Sequence, residues 1–299
     1  METLPSVTTD YSPVRALVLN SVSSPLTRAM YGKALDDFFA FREAEGSPAF
    51  SRALVQAHRV HLEEKAYSAS TINQRLSAIR KLATEAAANG LLDFATAGSI
   101  QQVKGVKRRG TRLGNWLTKA QTQTLLDGPS ADALKGKRDR AALGLLVGCG
   151  LRRSECTAVT VEHIQQREGR WAIVDLLGKG GRVRTVPVPP GVKARIDTWC
   201  QAAGITSGRI LRSMNRHGQI TGDSLSPQAV LDLVAEYEDV KPHDLRRTCA
   251  KLCRKAGGDL EQIQLLLGHA SIATTERYLG TEQNLERAVN DLLPVDFSG

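Results

Sequence analysis

The spacing of apolar residues along the first hundred positions is that of amphipathic helices. In SPLTRAMYGKALDDFF the apolar side chains recur at helical spacing after Ser24, a helix-capping residue type, and Pro25, which suits the first turn. Similar spacing covers residues 51–65 and 70–88, and Gly90 stands where the last helix is expected to stop. The pattern predicts a small all-helical bundle for residues 1–103.

From residue 115 onward the pattern is mixed. Thr118 and Gln121 form a capping-box pattern, and KRDRAALGLLVGCG is expected to be helical. RWAIVDLLGKGGRVRTVPVP gives β-type runs on either side of GKGG, which predicts a hairpin, and GRILRS is predicted as a further short strand. Helices are expected from Ser226 to about residue 236, and again from His243, with breaks at glycines. Residues 115–299 are therefore expected to form a mixed α+β, mainly helical domain.

Length and composition support two domains. The chain has 299 residues, 41% of them apolar, enough for two packed cores. No apolar run has the length of a membrane span, and the N-terminus lacks the features of a leader, so a soluble, cytoplasmic protein without membrane association is expected. About 23 residues precede the first predicted helix. Five cysteines without a C-x-x-C pair predict free, mostly buried thiols.

The positive charge is concentrated in one stretch. The net charge is +9, yet residues 1–100 carry ten basic and ten acidic residues, whereas residues 101–112 carry five basic residues and no acidic one. Such a glycine-containing stretch predicts a flexible linker over residues 104–114 that lies along a phosphate backbone; a solvated surface loop is the alternative. The predicted contacts are Lys104, Lys107, Arg108, Arg109 and Arg112.

The third predicted helix also carries basic residues, on the side opposite its apolar face. Arg75, Arg80 and Lys81 lie there among amides and hydroxyls, in a stretch poor in carboxylates. This mixture suits phosphates and base edges, so these three residues are predicted to bind DNA; a merely solvated face is the alternative.

Candidate catalytic residues are dispersed through the second domain. Arg152 begins a predicted helix with Glu155 one turn on, Lys179 lies in the predicted hairpin turn, and His243 and Arg246 share a helix face. His269 and Tyr278 follow in LLGHASIATTERYLG, where a break after Gly268 is expected to bring them together from different segments. Each motif alone is weak.

Together these residue types fit metal-free phosphoryl transfer. Two guanidiniums can hold the nonbridging oxygens of a phosphodiester and stabilise the transition state, as metals do elsewhere. Lysine can protonate a leaving alkoxide, histidine can accept a proton, and tyrosine becomes a usable nucleophile when cations crowd it. The set contains no cluster of carboxylates, so no metal is expected. No Walker-type motif is present, so no nucleotide cofactor is expected either.

The order and spacing of these motifs strongly resemble those of the tyrosine recombinases, also called the phage integrase family. The resemblance extends over nearly the whole chain and is carried by GLRRSE, GKGGRVRTVPVP, HDLRRT, LLGHA and TTERY. It implies that Tyr278 attacks a DNA phosphate to form a 3′-phosphotyrosyl link. The other catalytic residues that the resemblance implies are Arg152 and Arg246 on the phosphate, Lys179 as general acid, His243 as general base and His269 assisting. Glu155 matches an accessory position and has an orienting role only.

The resemblance also implies an architecture and partners. A SAM-like helical core-binding domain and a catalytic domain clamp DNA, as in the compact Xer-like members. The protein is expected to be a monomer or weak oligomer when free and a homotetramer on double-stranded recombination sites. The segment EQNLERAVNDLL is expected to be a C-terminal helix exchanged between protomers, although packing on its own domain is the alternative. A second recombinase or a DNA-bending protein is an expected accessory partner, and a prokaryotic or mobile-element origin is implied.

Three assignments have rivals within the sequence. Arg153 follows Arg152 and Arg247 follows Arg246; the family pattern favours Arg152 and Arg246. Arg182 lies near Lys179 in a turn with several basic residues, and Lys179 is preferred. The function has rivals too. An architectural DNA-binding protein, a metal-dependent phosphodiesterase and a type IB topoisomerase each account for part of the pattern. The first has no use for the dispersed catalytic set, and the second lacks a clear supply of metal ligands.

Overall fold

A computed structural model of the chain describes residues 10–107, 115–178 and 180–280, without the side chain of Arg277. The chain divides into two compact units, Met1–Thr111 and Arg112–Gly299. Several predictions fall outside the described residues: those for the C-terminal segment 281–299, and those for Lys179, Arg108, Arg109 and Arg112.

The first unit is all-helical in its described part, as predicted. Its helices are α1 (Ser12–Asn20), α2 (Pro25–Ala44), α3 (Arg52–Glu64), α4 (Ala69–Ala88) and α5 (Phe94–Gln101). The three predicted helices correspond to α2, α3 and α4. The short helices α1 and α5 were not predicted, because each spans too few turns to show a clear apolar period. Among the described residues the first helix therefore begins at Ser12, and the prediction that about 23 residues precede the first helix is wrong.

Local capping and one buried face account for this bundle. Ser24 and Asp93 accept hydrogen bonds from the N–H groups of Thr27 and Thr96, three residues further on. Helix α4 packs against the other four helices, and its Leu76 and Ile79 are fully buried. Apolar burial of this kind is the main stabilising contribution to such a unit.

Part of the predicted linker lies against the first unit. Arg59 donates to the carbonyl of Lys104 at 3.3 Å. The Asn73 amide pairs with the main chain of Val106, donating to its carbonyl at 2.9 Å and accepting from its N–H at 2.8 Å. Residues 104–106 are therefore held by helices α3 and α4 through their main chain.

The second unit is mainly helical with one small sheet, as predicted. Its helices are α6 (Lys119–Asp127), α7 (Leu134–Gly148), α8 (Arg153–Ala158), α9 (Pro190–Ala203), α10 (Pro227–Tyr237), α11 (Pro242–Lys255), α12 (Leu260–Leu267) and α13 (Ile272–Leu279). Helix α7 contributes an almost continuous run of buried residues to the core and packs against α9 and α11. The predicted capping box of Thr118 and Gln121 is confirmed at the start of α6.

The sheet is antiparallel, in the order β1 (Ile164–Arg167), β2 (Arg170–Leu177) and β3 (Val183–Pro187). The predicted hairpin is confirmed as β2 and β3, whose pairing is irregular around Asp175, a residue with a φ of 53°. Strand β1 was not predicted. The prediction of a strand at GRILRS is wrong: Ile210 and Leu211 are both fully buried, so this segment enters the core with two consecutive side chains, and Arg209 makes only an isolated bridge to Thr160.

Two further observations concern the described chain as a whole. All five cysteines are free, and Cys149, Cys156 and Cys249 are buried, which confirms the prediction of mostly buried thiols. Among the described helices, none combines the length and apolar character that crossing a membrane requires.

Candidate active site

Arg152 and Glu155 meet at the N-terminus of helix α8. The carboxylate of Glu155 accepts from the main-chain N–H of Arg152 at 2.8 Å and from its Nη1 at 2.6 Å. Gly150, with a φ of 58°, makes the sharp approach to this helix possible, and a Cβ there would lie 3.1 Å from the side chain of Leu267. The predicted orienting contact between Glu155 and Arg152 is therefore present, and the Arg152 side chain keeps 27% of its surface exposed.

A second arginine, which was not predicted from the sequence, binds the carboxylate of Glu155. Arg184 on strand β3 donates from Nη1 and Nη2 to the two oxygens of Glu155, at 3.0 and 2.9 Å. Burial alone would raise the pKa of Glu155, but the hydrogen bonds from Arg184 and Arg152 outweigh it and lower that pKa to about 2. Glu155 is thus ionised throughout the neutral range.

Arg246 on α11 is the third guanidinium of this cluster. It is 1% exposed and donates to the carbonyls of Gly150, at 2.5 Å, and Leu267, while Glu155 lies 3.8 Å away. Burial, together with the positive charge of Arg152, lowers the pKa of Arg246 to about 10, so the group stays charged at neutral pH. Three arginines therefore converge on one carboxylate and leave a local excess of positive charge.

The turn after α12 places His269 beside this cluster. Gly268 ends the helix with a φ of 62°, and a Cβ there would lie 2.9 Å from Cδ of Arg184, so only glycine fits. The imidazole Nδ1 of His269 hydrogen-bonds to the hydroxyl of Thr275 at 3.0 Å. Burial and then the charges of Arg246 and Arg152 lower the pKa of His269 to about 4, which keeps the ring neutral.

Tyr278 on α13 lies between the two histidines. Its ring centroid is 5.3 Å from that of His243 and 5.1 Å from that of His269, with both pairs edge to face. The predicted break is confirmed: α12 ends at Leu267, α13 begins at Ile272, and His269 and Tyr278 converge from different segments. The phenol donates to the main-chain carbonyl of His243 at 3.1 Å.

His243 stands at the first turn of α11, one turn before Arg246, as predicted. His243 as a whole residue is exposed, but partial desolvation of its ring, followed by the charges of Arg246 and Arg247, lowers the pKa of His243 below its ordinary value of 6.5. The imidazole is consequently neutral at physiological pH and able to accept a proton.

Arg153 and Arg247, the arginines that follow Arg152 and Arg246 in the sequence, lie in different surroundings from those two residues. Arg153 is exposed to solvent, whereas Arg152 contacts Glu155. Arg247 lies over the ring of Tyr278, with its guanidinium carbon 5.0 Å from the ring centroid, whereas Arg246 is buried in the cluster. Arg182, the alternative to Lys179 in the hairpin turn, is exposed. Lys179 itself lies outside the described residues, so the preference for Lys179 stays a prediction.

The five described residues that were predicted to bind DNA differ in exposure. Arg75 is only 6% exposed, donates to Asp37 at 2.5 Å and stacks over Tyr67, so it departs from the predicted exposed face. Arg80 and Lys81 are half-buried, and Arg80 donates to the carbonyl of Val103. Lys104 and Lys107 are exposed. The periodicity of α4 alone predicts an exposed Arg75, because the sequence of one helix does not show that another helix, α2, covers this side chain.

No metal cluster accompanies the catalytic candidates in the described ranges, where no three His, Cys, Asp or Glu side chains are grouped to hold an ion. The described cluster itself offers guanidiniums, imidazoles and a phenol, and guanidiniums suit a negatively charged ligand.

Comparisons with known proteins agree with this geometry. Residues 115–284 match the Phage integrase family, and residues 14–90 match the phage integrase N-terminal SAM-like domain. The chain is 30% identical over 259 residues to tyrosine recombinase XerC of Pseudomonas putida, an alignment covering 83% of each protein. It is also 30% identical over 279 residues to tyrosine recombinase XerC of Pelobacter propionicus, covering 88% of this chain and 87% of the relative.

Solved structures share the fold. A lambda integrase dimer bound to a COC′ core site is similar with a TM-score of 0.68 at 16% identity, covering 92% of this chain and 78% of that one. XerH bound to palindromic difH substrate, in a post-cleavage complex, is similar with a TM-score of 0.67 at 19% identity, covering 92% of this chain and 82% of that one. The two matched domains, the curated relatives and the shared fold lead to one conclusion: the chain belongs to the phage integrase family of tyrosine recombinases.

Proposed function

We propose that this protein is a site-specific DNA recombinase that cleaves and rejoins DNA strands through a 3′-phosphotyrosyl intermediate on Tyr278, without metal or ATP. One observation carries the proposal: a tyrosine lies between two neutral histidines, beside a cluster of three arginines that share one carboxylate. The excess positive charge suits a phosphodiester, and the phenol is the nucleophile next to it.

Each residue has a role in the proposed reaction. Arg152 and Arg246 bind the nonbridging oxygens of the scissile phosphate, and Glu155 orients Arg152. The phenol oxygen of Tyr278 bonds to phosphorus while the bond to the 5′-oxygen breaks. His243 accepts the phenol proton, with His269 assisting, and Lys179 protonates the departing 5′-oxygen.

The phenol has to turn for this reaction. In the structure it donates to the main-chain carbonyl of His243 and not to an imidazole nitrogen. We propose that a bound phosphate draws the hydroxyl away from this carbonyl towards the arginines. The ester formed retains the energy of the phosphodiester, so attack by a 5′-hydroxyl rejoins the strand without a nucleotide.

The partners remain proposals of the same kind. Double-stranded recombination sites are the proposed substrate, bound by both units, with a homotetramer as the proposed assembly on DNA. Exchange of a C-terminal helix, and an accessory recombinase or DNA-bending protein, stay predictions from the family resemblance.

The test uses Tyr278→Phe. Wild-type protein is incubated in EDTA with nicked duplexes taken from the DNA flanking its own gene, and covalent adducts are separated by denaturing electrophoresis. We expect an adduct with the wild type and with Tyr31→Phe, a matched control outside the site, and none with Tyr278→Phe, whose DNA affinity stays within about twofold because one phenol hydroxyl contributes little to phosphate binding.

The outcomes separate the candidate functions. An adduct that persists in Tyr278→Phe contradicts the proposal, and so does the absence of any adduct on every candidate site. Binding without cleavage is the behaviour of an architectural DNA-binding protein. Relaxation of single supercoiled circles without exchange between two duplexes is the behaviour of a type IB topoisomerase.

A further inference from the structure

Arg184 is a largely buried arginine for which the proposed reaction has no role so far. It projects from strand β3, and its side chain is 11% exposed. Nη1 and Nη2 donate to both oxygens of Glu155, at 3.0 and 2.9 Å, and Nε donates to the carbonyl of Leu266 at 3.2 Å. All three guanidinium nitrogens are therefore engaged within the protein, a geometry unlike that of a phosphate ligand.

The charge balance of the cluster depends on this contact. Glu155 is the carboxylate shared by Arg152, Arg184 and Arg246. Because Arg184 holds Glu155 in a bidentate pair, one cation compensates the one carboxylate. The charges of the other two arginines then remain for an anionic ligand. Without Arg184, the carboxylate has to be compensated by the two arginines that are proposed to bind the phosphate.

Arg184 also fixes the position of the turn that carries His269. Its Nε bond to Leu266 ties strand β3 to the last turn of α12, and its Cδ packs so closely on Gly268 that a Cβ there would lie 2.9 Å away. The same side chain thus contacts the partner of Arg152 and the segment immediately before His269. A change at Arg184 is transmitted to both.

We propose that Arg184 is a positioning residue for strand cleavage: it is the counter-charge that keeps Glu155 from withdrawing Arg152 and Arg246 from the scissile phosphate, and it holds the His269 turn in register. This inference rests on the proposed function. Arg184 itself does not touch the DNA.

The first experiment compares Arg184→Gln with Arg184→Lys. Single-turnover formation of the covalent adduct is measured at saturating DNA, beside DNA affinity. We expect Arg184→Gln to slow adduct formation about 100-fold, the order of loss that misplacing reactive groups causes, with affinity within about twofold of wild type. Arg184→Lys keeps the charge but loses the bidentate geometry, so it recovers part of the rate. Arg167→Gln, an exposed arginine of the same sheet, is the matched control and keeps the wild-type rate.

The second experiment is a double-mutant cycle with Glu155→Gln. If Arg184 acts as the counter-charge of Glu155, neutralising Glu155 removes the need for it, so Glu155→Gln/Arg184→Gln is no slower than Arg184→Gln. A substrate with a neutral methylphosphonate at the scissile position requires less positive charge, and we expect it to shrink the defect of Arg184→Gln. Two results together overturn the counter-charge role. The rate losses of Glu155→Gln and Arg184→Gln multiply in the double variant, and the rate loss of Arg184→Gln is undiminished on the methylphosphonate substrate.

Folding is monitored by thermal unfolding of every variant. If Arg184→Gln does not fold, two variants carry the comparison: Arg184→Lys, which keeps a cation beside Glu155, and the double variant, which removes the carboxylate charge. Wild-type adduct formation separates the two hypotheses. No adduct with the wild type contradicts the proposed function, whereas a normal wild-type rate with Arg184→Gln within about threefold of it contradicts only the role of Arg184.

Discussion

At Tyr278 the surroundings oppose ionisation of the phenol even though cations are close. Burial raises the pKa of Tyr278 to about 12, and the charges of Arg246 and Arg247 offset this only in part. The expectation that crowding by cations activates the tyrosine therefore does not describe this geometry. The phenol is protonated at rest, and its proton has to pass to a base when the phosphate is bound.

The two histidines predict the pH dependence of cleavage. Because burial and nearby arginines lower the pKa of His243, and that of His269 to about 4, both rings are neutral above their ordinary value of 6.5. We expect the rate of adduct formation at limiting DNA to be level from about pH 6.5 to 8 and to fall on acidification, because protonation removes the base. Single-turnover rates across this range provide the measurement.

Arg247→Gln sharpens this prediction. Removing a cation beside His243 raises the pKa of His243, so the acidic fall should move to higher pH. His217→Gln, an exposed histidine elsewhere in the same unit, should leave the profile unchanged. An acidic fall centred above about pH 7 in the wild type is incompatible with the depressed pKa of His243.

At the scale of elements, helix α3 contains a buried histidine that links stability to pH. His58 is 1% exposed, contacts the rings of Phe38 and Phe41, and its ring nitrogens have no hydrogen-bond partner among the described residues. Burial, with a smaller effect of His61, lowers the pKa of His58 from 6.5 to about 4. The folded state holds the neutral ring, and protonation favours the unfolded state. The contribution of the neutral His58 ring to the free energy of unfolding is therefore complete above pH 6.5 and is lost as pH falls towards 4.

We expect His58→Leu to weaken this pH dependence, because the group that gains a proton on unfolding is gone. Thermal unfolding midpoints of the full chain, measured between about pH 4 and 7.5, provide the test. His217→Gln is again the control, since an exposed histidine should leave the slope as it is. An equal slope in His58→Leu and wild type means that other groups cause the acid sensitivity.

Elements could be predicted where their signals are local. Ser24, the box of Thr118 and Gln121, and Gly268 mark helix ends because each acts on backbone groups within about one turn. Local signals did not predict α1 and α5, and they wrongly predicted a strand at GRILRS. Short elements take their stability from the surfaces that cover them, and those surfaces come from distant parts of the chain.

For the molecule as a whole, the distribution of charge matters more than its sum. The net charge is +9, and residues 101–112 hold five basic residues with no acidic one. We expect replacement of Arg108, Arg109 and Arg112 by Gln to reduce the slope of log affinity for DNA against log salt by about 0.9 for each phosphate that these arginines neutralise in the wild type. Binding isotherms at several salt concentrations measure this slope.

A control of equal charge distinguishes location from total charge. Arg52, Arg167 and Arg170 are exposed, and their joint replacement by Gln removes the same three charges elsewhere. This variant should keep nearly the wild-type slope. If both triple variants reduce the slope equally, the basic stretch has no special part in binding, and the prediction of a DNA-contacting linker is wrong.

The sequence by itself determined the two-part organisation, the helical and mixed character of the parts, and the identity of most candidate catalytic side chains. The first two follow from apolar periodicity and capping residues, which act over short stretches of chain, and the third follows from the order of the motifs along the sequence. Only the tertiary structure showed that Arg184 shares Glu155 with Arg152, that Arg75 is covered by α2, and that burial raises the pKa of Tyr278. Arg184 and Glu155 are 29 residues apart, and their pairing depends on strand register and loop closure. Burial, which sets the pKa values, exists only once distant segments have packed.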